Sequence, residues 1–130
     1  MKFCSATEQD FEWMAEIQKS FGLPLWRPNA TSWVLGKDAY AIWQKIGYEC
    51  ELLSLATRAD MHGKGYAKEL MEFSQEELKK QGVNKYFLEV KESNVAAISL
   101  YRKLGYIKVH ERKEYYPDGE PAAIMRLINI

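Results

Sequence analysis

The sequence predicts an α/β fold in which helices flank a mixed, mostly antiparallel central sheet. Strand-like segments fill the stretch from Thr31 to Thr57 and are separated by turns at Gly36 and Gly47. A long amphipathic helical pattern, 66–81, follows two glycines, and an apolar strand-like segment, 86–90, comes after it. Strand, helix and strand in this order favour a right-handed βαβ unit with two parallel strands.

Length and composition fit one domain over residues 1–130. The chain is 47% apolar and 13% aromatic, which supports a packed core and argues against disorder. Eighteen basic and eighteen acidic residues cancel, so charge gives no reason to expect nucleic acid or a membrane as a partner. Cys4 and Cys50 have no metal-ligand spacing and form no disulfide framework. With no signal peptide or membrane-spanning run, we expect a cytoplasmic monomer or weak dimer without a metal.

The first third of the chain predicts a strand, a helix and an irregular segment. Residues 2–5 form a short strand-like run, Thr7 begins a helical pattern, and Gly22 ends it. Two prolines within 23–29 exclude a regular element there. Trp26 and its apolar neighbours either cover the core as a lid or line a groove for a partner.

The rest of the chain divides into strands and helices by periodicity. An antiparallel meander is predicted over 32–35, 39–46 and 48–57, and its third strand becomes apolar toward its end, as a central strand does. Asn94 is a candidate N-cap for a helix that ends at Leu104. The remaining predicted segments are a strand at 106–111, an aromatic turn region at 115–121 and a last strand at 122–128.

Two glycines, Gly63 and Gly65, stand where a strand turns into the long helix. Glycine allows a ligand to approach the backbone closely, and the first amides of a helix are unpaired donors at the positive end of its dipole. Such a turn suits a phosphate. Glycines at such a junction also serve backbone geometry alone, so both interpretations stay open at this point.

Glu89 interrupts an otherwise apolar strand, and Tyr101 lies on the apolar side of its helix. A carboxylate in that setting is either paired with a lysine or arginine of a neighbouring strand or has the raised pKa of a general base. A core aromatic is the ordinary interpretation of Tyr101. Composition and spacing do not choose between these alternatives.

Four motifs, in order, resemble one family. They are Leu88-Glu89-Val90, Ser93 to Ile98, Leu100 to Tyr106, and Arg112 to Gly119 followed by Ala123-Ile124-Met125. Residues 51–127 are similar to the GCN5-related N-acetyltransferase (GNAT) superfamily, and within it to the RimI-type ribosomal-protein-alanine N-acetyltransferases. The first fifty residues match more loosely.

The resemblance implies acetyl-CoA as co-substrate and a role for each matching residue. Glu89 is expected as general base and Tyr101 as general acid. The pantetheine arm is expected to pair with Leu55, Ala56 and Thr57. The pyrophosphate is expected on Gly63, Lys64, Gly65, Tyr66, Ala67 and Lys68, with Asn94 on the other side. An acceptor peptide is expected to contact Trp26, Tyr115 and Tyr116.

The chain departs from the family pattern in one loop. Asp60 stands where Gln or Arg is usual, and its charge near a pyrophosphate predicts weakened affinity. His62 either donates to a phosphate or faces solvent as a loop histidine. Neither cysteine has a motif neighbour that would make it a nucleophile, so direct transfer is expected.

The leading hypothesis is an acetyl-CoA-dependent N-acetyltransferase acting on a protein N-terminus, the alanine of a small-subunit ribosomal protein first among the acceptors. One alternative is a GNAT enzyme that acetylates a lysine side chain or a small amine. An alternative of another class is a non-catalytic acyl-CoA-binding module, which Asp60 favours and the retention of both Glu89 and Tyr101 disfavours.

Overall fold

A computed structural model describes residues 2–128 of the chain. In that part of the chain, seven strands and three α-helices occur in this order: β1 (Phe3–Ser5), α1 (Phe11–Ser20), β2 (Ser32–Leu35), β3 (Ala39–Ile46), β4 (Glu49–Thr57), α2 (Tyr66–Lys80), β5 (Lys85–Lys91), α3 (Val95–Lys103), β6 (Ile107–Arg112) and β7 (Ala122–Ile128). Short 3-10 turns at Glu8–Asp10 and Ala59–Met61 precede α1 and α2. None of these helices is long and apolar enough to cross a membrane.

The seven strands form one sheet in the order β1-β2-β3-β4-β5-β7-β6. The neighbouring strands β4 and β5 are parallel, and the other neighbours are antiparallel. The predicted meander and the predicted βαβ unit around α2 are therefore confirmed. Predicted boundaries differ from the observed ones by one residue at several ends, as at α2, which ends at Lys80.

Helices cover both faces of the sheet. On one face, α2 buries Leu70, Met71 and Leu78 in the larger core, and α3 adds Tyr101. The buried Trp43 Nε1–H donates to Ser74 on α2 at 3.0 Å, which satisfies the indole group inside this core. On the other face, α1 packs its apolar stripe against β2 and β3 in a smaller core. Near one end of β5 this second face is left open.

The strand β5 has one fully covered face and one half-covered face. Tyr86, Leu88 and Val90 are buried, whereas Phe87 and Glu89 between them are only partly buried. The apolar sequence of β5 predicts a central strand, and β5 indeed lies between β4 and β7. The expectation that both faces of β5 are equally buried is wrong. The second face stays open because the core under α1 extends over β2, β3 and β4 and contains no residue of β5.

The segment after α1 is irregular, as its two prolines predict. Gln18, fully buried on α1, holds its middle: the Trp26 N–H donates to Gln18 Oε1 at 2.6 Å, and Gln18 Nε2 donates to the Trp26 carbonyl at 3.1 Å. A buried amide that both donates and accepts satisfies loop backbone without regular structure. The segment is thereby fixed against α1.

Candidate active site

The strands β4 and β5 run side by side over three residue pairs and then separate. Their last parallel pair is Glu51 with Phe87. Beyond it, the pairing of β4 continues with β3 and that of β5 continues with β7. The register between β3 and β4 shifts between Ile42 and Trp43, which leaves Leu53 as an extra residue in β4. Such a β-bulge bends its strand, so it explains why the two central strands open into a cleft at this point.

The cleft side of β4 presents backbone groups of Leu55 and Thr57. The Arg58 N–H donates to the Asp38 carbonyl at 2.8 Å, and backbone groups alternate in direction along an antiparallel strand. The N–H and C=O groups of Leu55 and Thr57 therefore point into the cleft. The Thr57 carbonyl indeed accepts a hydrogen bond from His62 Nε2 at 2.8 Å. An extended ligand can pair with such a strand edge.

A glycine turn connects β4 to α2 above the cleft. Gly63 and Gly65 have φ values of +80° and +79°, in the left-handed region that glycine adopts without steric cost. Gly65 is the N-cap residue, and α2 begins at Tyr66 immediately after it. The first amides of this 15-residue helix are therefore donors at the rim of the cleft, where a helix dipole favours an anion.

A cavity of about 650 Å³ lies between the β4 edge, the glycine turn and α3. Tyr101 lines it, and Lys64 is exposed and lies outside its lining. All the other predicted cofactor residues line it: Leu55, Ala56, Thr57, Gly63, Gly65, Tyr66, Ala67, Lys68 and Asn94. Sequence reasoning missed further members of the wall: Phe21, Leu23, Met61, Ala96, Ala97 and Leu100. Motif spacing could not have found Phe21 and Leu23, which come from the distant segment after α1.

The helix α3 contributes a cap residue and a buried phenol. Asn94 Oδ1 accepts a hydrogen bond from the Ala97 N–H at 3.1 Å, so the predicted N-cap is confirmed. The Tyr101 ring packs edge-on against Tyr106 with centroids 5.9 Å apart. Burial raises the pKa of Tyr101 to about 12. Its hydroxyl is therefore protonated at neutral pH and can donate a hydrogen bond at the cavity wall.

Glu89 lies on the other, half-covered face of β5. It lines a groove of about 340 Å³ together with Gln44, Glu51, Phe87, Arg112 and Ile124 among others. The Glu89 side chain keeps 24% of its surface exposed, and its Oε1 lies 3.5 Å from Arg112 Nη1. The expectation of a desolvated carboxylate is therefore wrong, because the strand face is only half covered. The ion pair with a basic residue of another strand is present, and the same carboxylate borders the cleft.

Comparison of the sequence with known proteins identifies the family of this chain. The sequence model of the Acetyltransferase (GNAT) family matches residues 4–106. The chain belongs to the GNAT acetyltransferase family. The ribosomal protein bS18-alanine N-acetyltransferase of Escherichia coli is 39% identical over 94 residues, which are 71% of this chain and 64% of that protein. The chain thus spans just under two thirds of that relative's length in the sequence alignment.

Two further comparisons extend over nearly the whole chain. The enzyme of the same name from Haemophilus ducreyi is 33% identical over 137 aligned residues, which cover 92% of this chain and 94% of that protein. The crystal structure of the ribosomal-protein-S18-alanine N-acetyltransferase from Escherichia coli has a TM-score of 0.83 and 31% identity, covering 98% of this chain and 92% of that chain. The GNAT fold predicted from the sequence is confirmed.

In this GNAT chain the loop between β6 and β7 places two predicted acceptor residues beside Glu89. The Tyr115 ring lies 5.3 Å from the Arg112 guanidinium, and its ring centroid is 5.2 Å from that of Tyr116. A hydrogen bond with Glu89, together with the charge of that carboxylate, raises the pKa of Tyr115. The two tyrosines therefore lie beside Glu89, although neither is among the residues that line its groove.

Trp26, the third predicted acceptor residue of the GNAT site, lies elsewhere. Its backbone is bonded to Gln18 on α1, and 39% of the residue is exposed. Within residues 2–128, no hydrogen bond or ring contact joins it to Tyr115 or Tyr116. The structure thus brings two of the three acceptor residues to Glu89, and a role for Trp26 stays a prediction.

Asp60 and His62, in the loop before the glycine turn of this GNAT chain, have partners of their own. Asp60 lies 3.1 Å from Arg58, which also approaches Asp38 to 3.7 Å, so the charge of Asp60 is partly compensated. Asp60 is not among the residues that line the cavity. The His62 ring stacks on Phe21 with centroids 5.5 Å apart, besides its bond to the strand edge. His62 is exposed in the loop, as the loop-histidine interpretation predicts, but its contacts with Thr57 and Phe21 were not foreseen. Among residues 2–128, no group of three or more His, Cys, Asp or Glu side chains could hold a metal ion.

Proposed function

We propose that the chain transfers an acetyl group from acetyl-CoA to the α-amine of a protein N-terminus, with the N-terminal alanine of a small-subunit ribosomal protein as the preferred acceptor. The observation that carries the proposal is the cleft where β4 and β5 separate, because a cofactor-sized cavity lies along the β4 edge beyond this point and the Glu89 groove lies beside the last parallel pair. The choice of acceptor rests on the relatives from Escherichia coli and Haemophilus ducreyi, whose names specify bS18 alanine. Such an acceptor would be met in the cytoplasm.

The cavity fits acetyl-CoA in size and chemistry. Its volume of about 650 Å³ is typical of small-molecule and cofactor sites. The edge of β4 supplies backbone donors and acceptors for an extended pantetheine arm. Thr57 Oγ1 is buried and has no hydrogen-bond partner among residues 2–128, so it offers the arm another polar contact. We assign the phosphates to the backbone amides that follow Gly63, rather than to the Lys64 ammonium, which lies outside the lining.

Each side chain then has a defined task in the transfer. Acetyl-CoA, when bound, supplies an acetyl group activated as a thioester. Glu89 accepts a proton from the attacking amine, directly or through a water, because an α-amine has a pKa of about 8 and is mostly charged at neutral pH. A strand-edge amide such as that of Leu55 donates to the carbonyl oxygen as negative charge develops on it. Tyr101 donates a hydrogen bond to the departing sulfur.

Direct transfer needs no enzyme nucleophile, and the cysteines agree with this. Burial raises the pKa of Cys50 to about 12, which keeps its thiol protonated and unreactive. Cys4 is exposed on β1, at the far edge of the sheet from the cleft. Holding the amine and the thioester side by side in the cleft would supply much of the rate.

The test is an acetylation assay read by mass spectrometry. Purified protein is incubated with acetyl-CoA and three peptides: one beginning with alanine, one beginning with serine, and the alanine peptide with a blocked N-terminus and an internal lysine. We expect one acetyl group on the alanine peptide and none on the blocked one. Acetylation of the blocked peptide would favour a lysine acetyltransferase, and acetyl-CoA binding without any transfer would favour a non-catalytic acyl-CoA-binding module. Ribosomal protein N-termini from cells with and without the gene identify the natural acceptor.

A further inference from the structure

The groove beside Glu89 contains a second carboxylate, Glu51, whose place follows from the sheet register. Glu51 on β4 is the parallel partner of Phe87 on β5, and directly paired residues point to the same face. Glu89 is two residues beyond Phe87 and shares that face. From strand spacing and rise, the α-carbons of Glu51 and Glu89 are about 8 Å apart where the strands begin to separate. Two glutamate side chains can therefore approach one nitrogen atom between them.

Glu51 differs from its acidic neighbours in forming no ion pair within residues 2–128. Glu89 has Arg112 at 3.5 Å, and Glu49 has Lys85 at 3.9 Å. Among residues 2–128, no ion pair is formed by Glu51, although it is exposed to an arriving ligand. Partial desolvation and the like charge of Glu89 raise the pKa of Glu51, while Arg112 opposes them. Further ionisable groups lie on or beside this face: Lys91, His110, Arg126, Tyr115 and Tyr116.

Resting on the proposed transfer reaction, we propose that Glu51 acts with Glu89 as a carboxylate pair that binds the acceptor as its ammonium ion and takes its proton. The ammonium group forms an ion pair with Glu51 and is oriented by Glu89. One N–H bond then breaks, the proton passes to a carboxylate oxygen of the pair, directly or through a water, and the electron pair remains on nitrogen for the attack. No other reactant is required.

The pair solves a problem that Glu89 alone leaves open. Near neutral pH an α-amine with a pKa of about 8 is roughly nine-tenths ammonium, so the site meets mainly the cation. A carboxylate already paired with Arg112 attracts a cation weakly, whereas Glu51 has no ion-pair partner of its own in the described part of the chain.

The decisive comparison is Glu51→Gln against Glu76→Gln, a matched change on the solvent face of α2. We measure kcat/KM for an alanine-initiated peptide from pH 5.5 to 9.5 at saturating acetyl-CoA. For Glu51→Gln we expect a loss of about tenfold or more, because the ammonium group of the acceptor then meets only the carboxylate that is already paired with Arg112. The KM for acetyl-CoA should stay within about twofold of that of the parent enzyme. A Glu51→Gln enzyme that matches Glu76→Gln in kcat/KM across this pH range would overturn the proposal.

A second measurement does not depend on turnover. Carboxyl ¹³C signals of the glutamates are titrated by NMR with and without the peptide, and Glu51 is assigned with the Glu51→Gln variant. We expect the peptide's ammonium group to move the Glu51 titration to lower pH, and an unchanged titration would refute ammonium binding. If the shift occurs but the parent protein transfers no acetyl group, the proposed enzyme activity fails while the ammonium site stands. If the parent enzyme is active but Glu51→Gln leaves its kinetics unchanged and the peptide leaves the Glu51 titration unchanged, the proposed carboxylate pair is refuted and the proposed enzyme activity stands.

Discussion

Replacing Tyr101 by phenylalanine removes the hydroxyl group proposed to face the departing sulfur. A coenzyme thiol has a pKa near the cysteine reference of about 8.5, whereas burial raises the pKa of Tyr101 to about 12. Complete proton transfer from this phenol to the thiolate would therefore be uphill by about 5 kcal/mol. We therefore expect Tyr101 to stabilise the transition state by donating a hydrogen bond to the developing negative charge on sulfur, which is worth about 1.5–3 kcal/mol. We expect kcat to fall about 10- to 150-fold.

The assay is initial velocity with the alanine-initiated peptide, together with the KM of each substrate and the urea midpoint. Stability should change little, because no hydrogen bond is formed by the Tyr101 hydroxyl among residues 2–128 and the ring contact with Tyr106 remains in the variant. The raised pKa also means that Tyr101 stays protonated, so it should produce no loss of kcat below about pH 10.5. A kcat within threefold of the parent enzyme would refute the role at the sulfur. A large rise in the KM of acetyl-CoA with normal kcat would assign the hydroxyl to binding instead.

Three further predictions concern the turn, the core and alkaline pH. Gly65→Ala places a side chain at φ +79°, so it should cost about 1–2 kcal/mol in urea unfolding and raise the KM of acetyl-CoA more than that of the peptide. Ser74→Ala leaves the buried Trp43 indole N–H without its acceptor, and urea unfolding should show a loss of about 1–3 kcal/mol with normal kinetics. Folding raises the pKa of Cys50 from 9.0 and that of Tyr40 from 10.0, each to about 12. As pH rises, the unfolded chain therefore loses these protons before the folded chain does. The free energy of unfolding, measured from pH 8 to 11, should be constant below pH 9. Above that pH it should fall by up to about 1.4 kcal/mol per pH unit for each group.

Local patterns were sufficient for most of the secondary structure. The helix over α2 was predictable because its apolar residues repeat at helical spacing between a glycine turn and Gly82. The parallel pair was predictable because a helix must intervene between such strands. The wall of the cavity followed from these elements together with the family motifs, since the motif residues are close in sequence to the turn they form.

What could not be predicted depends on contacts between distant segments. The extra residue Leu53 has no sequence signature, because a bulge is defined only by the register with a partner strand. Phe21 and Leu23 reach the cavity through the packing of α1, which periodicity does not orient relative to the cleft. The residues around Glu89 in β5 are mainly apolar, and only the position of α1 decides that one face of this strand is open. Glu51 was overlooked because a single acidic residue in a strand resembles an ordinary edge charge.

The opening between the two central strands has a kinetic corollary. In the proposed reaction, donor and acceptor approach from opposite sides of the sheet, so that both substrates can be bound at once. Initial-velocity patterns should therefore intersect, as they do for a ternary complex, and neither substrate should inhibit by competing for the place of the other. A compound in which the α-nitrogen of an alanine peptide is linked covalently to coenzyme A should pass through the opening between β4 and β5 and bind on both sides at once.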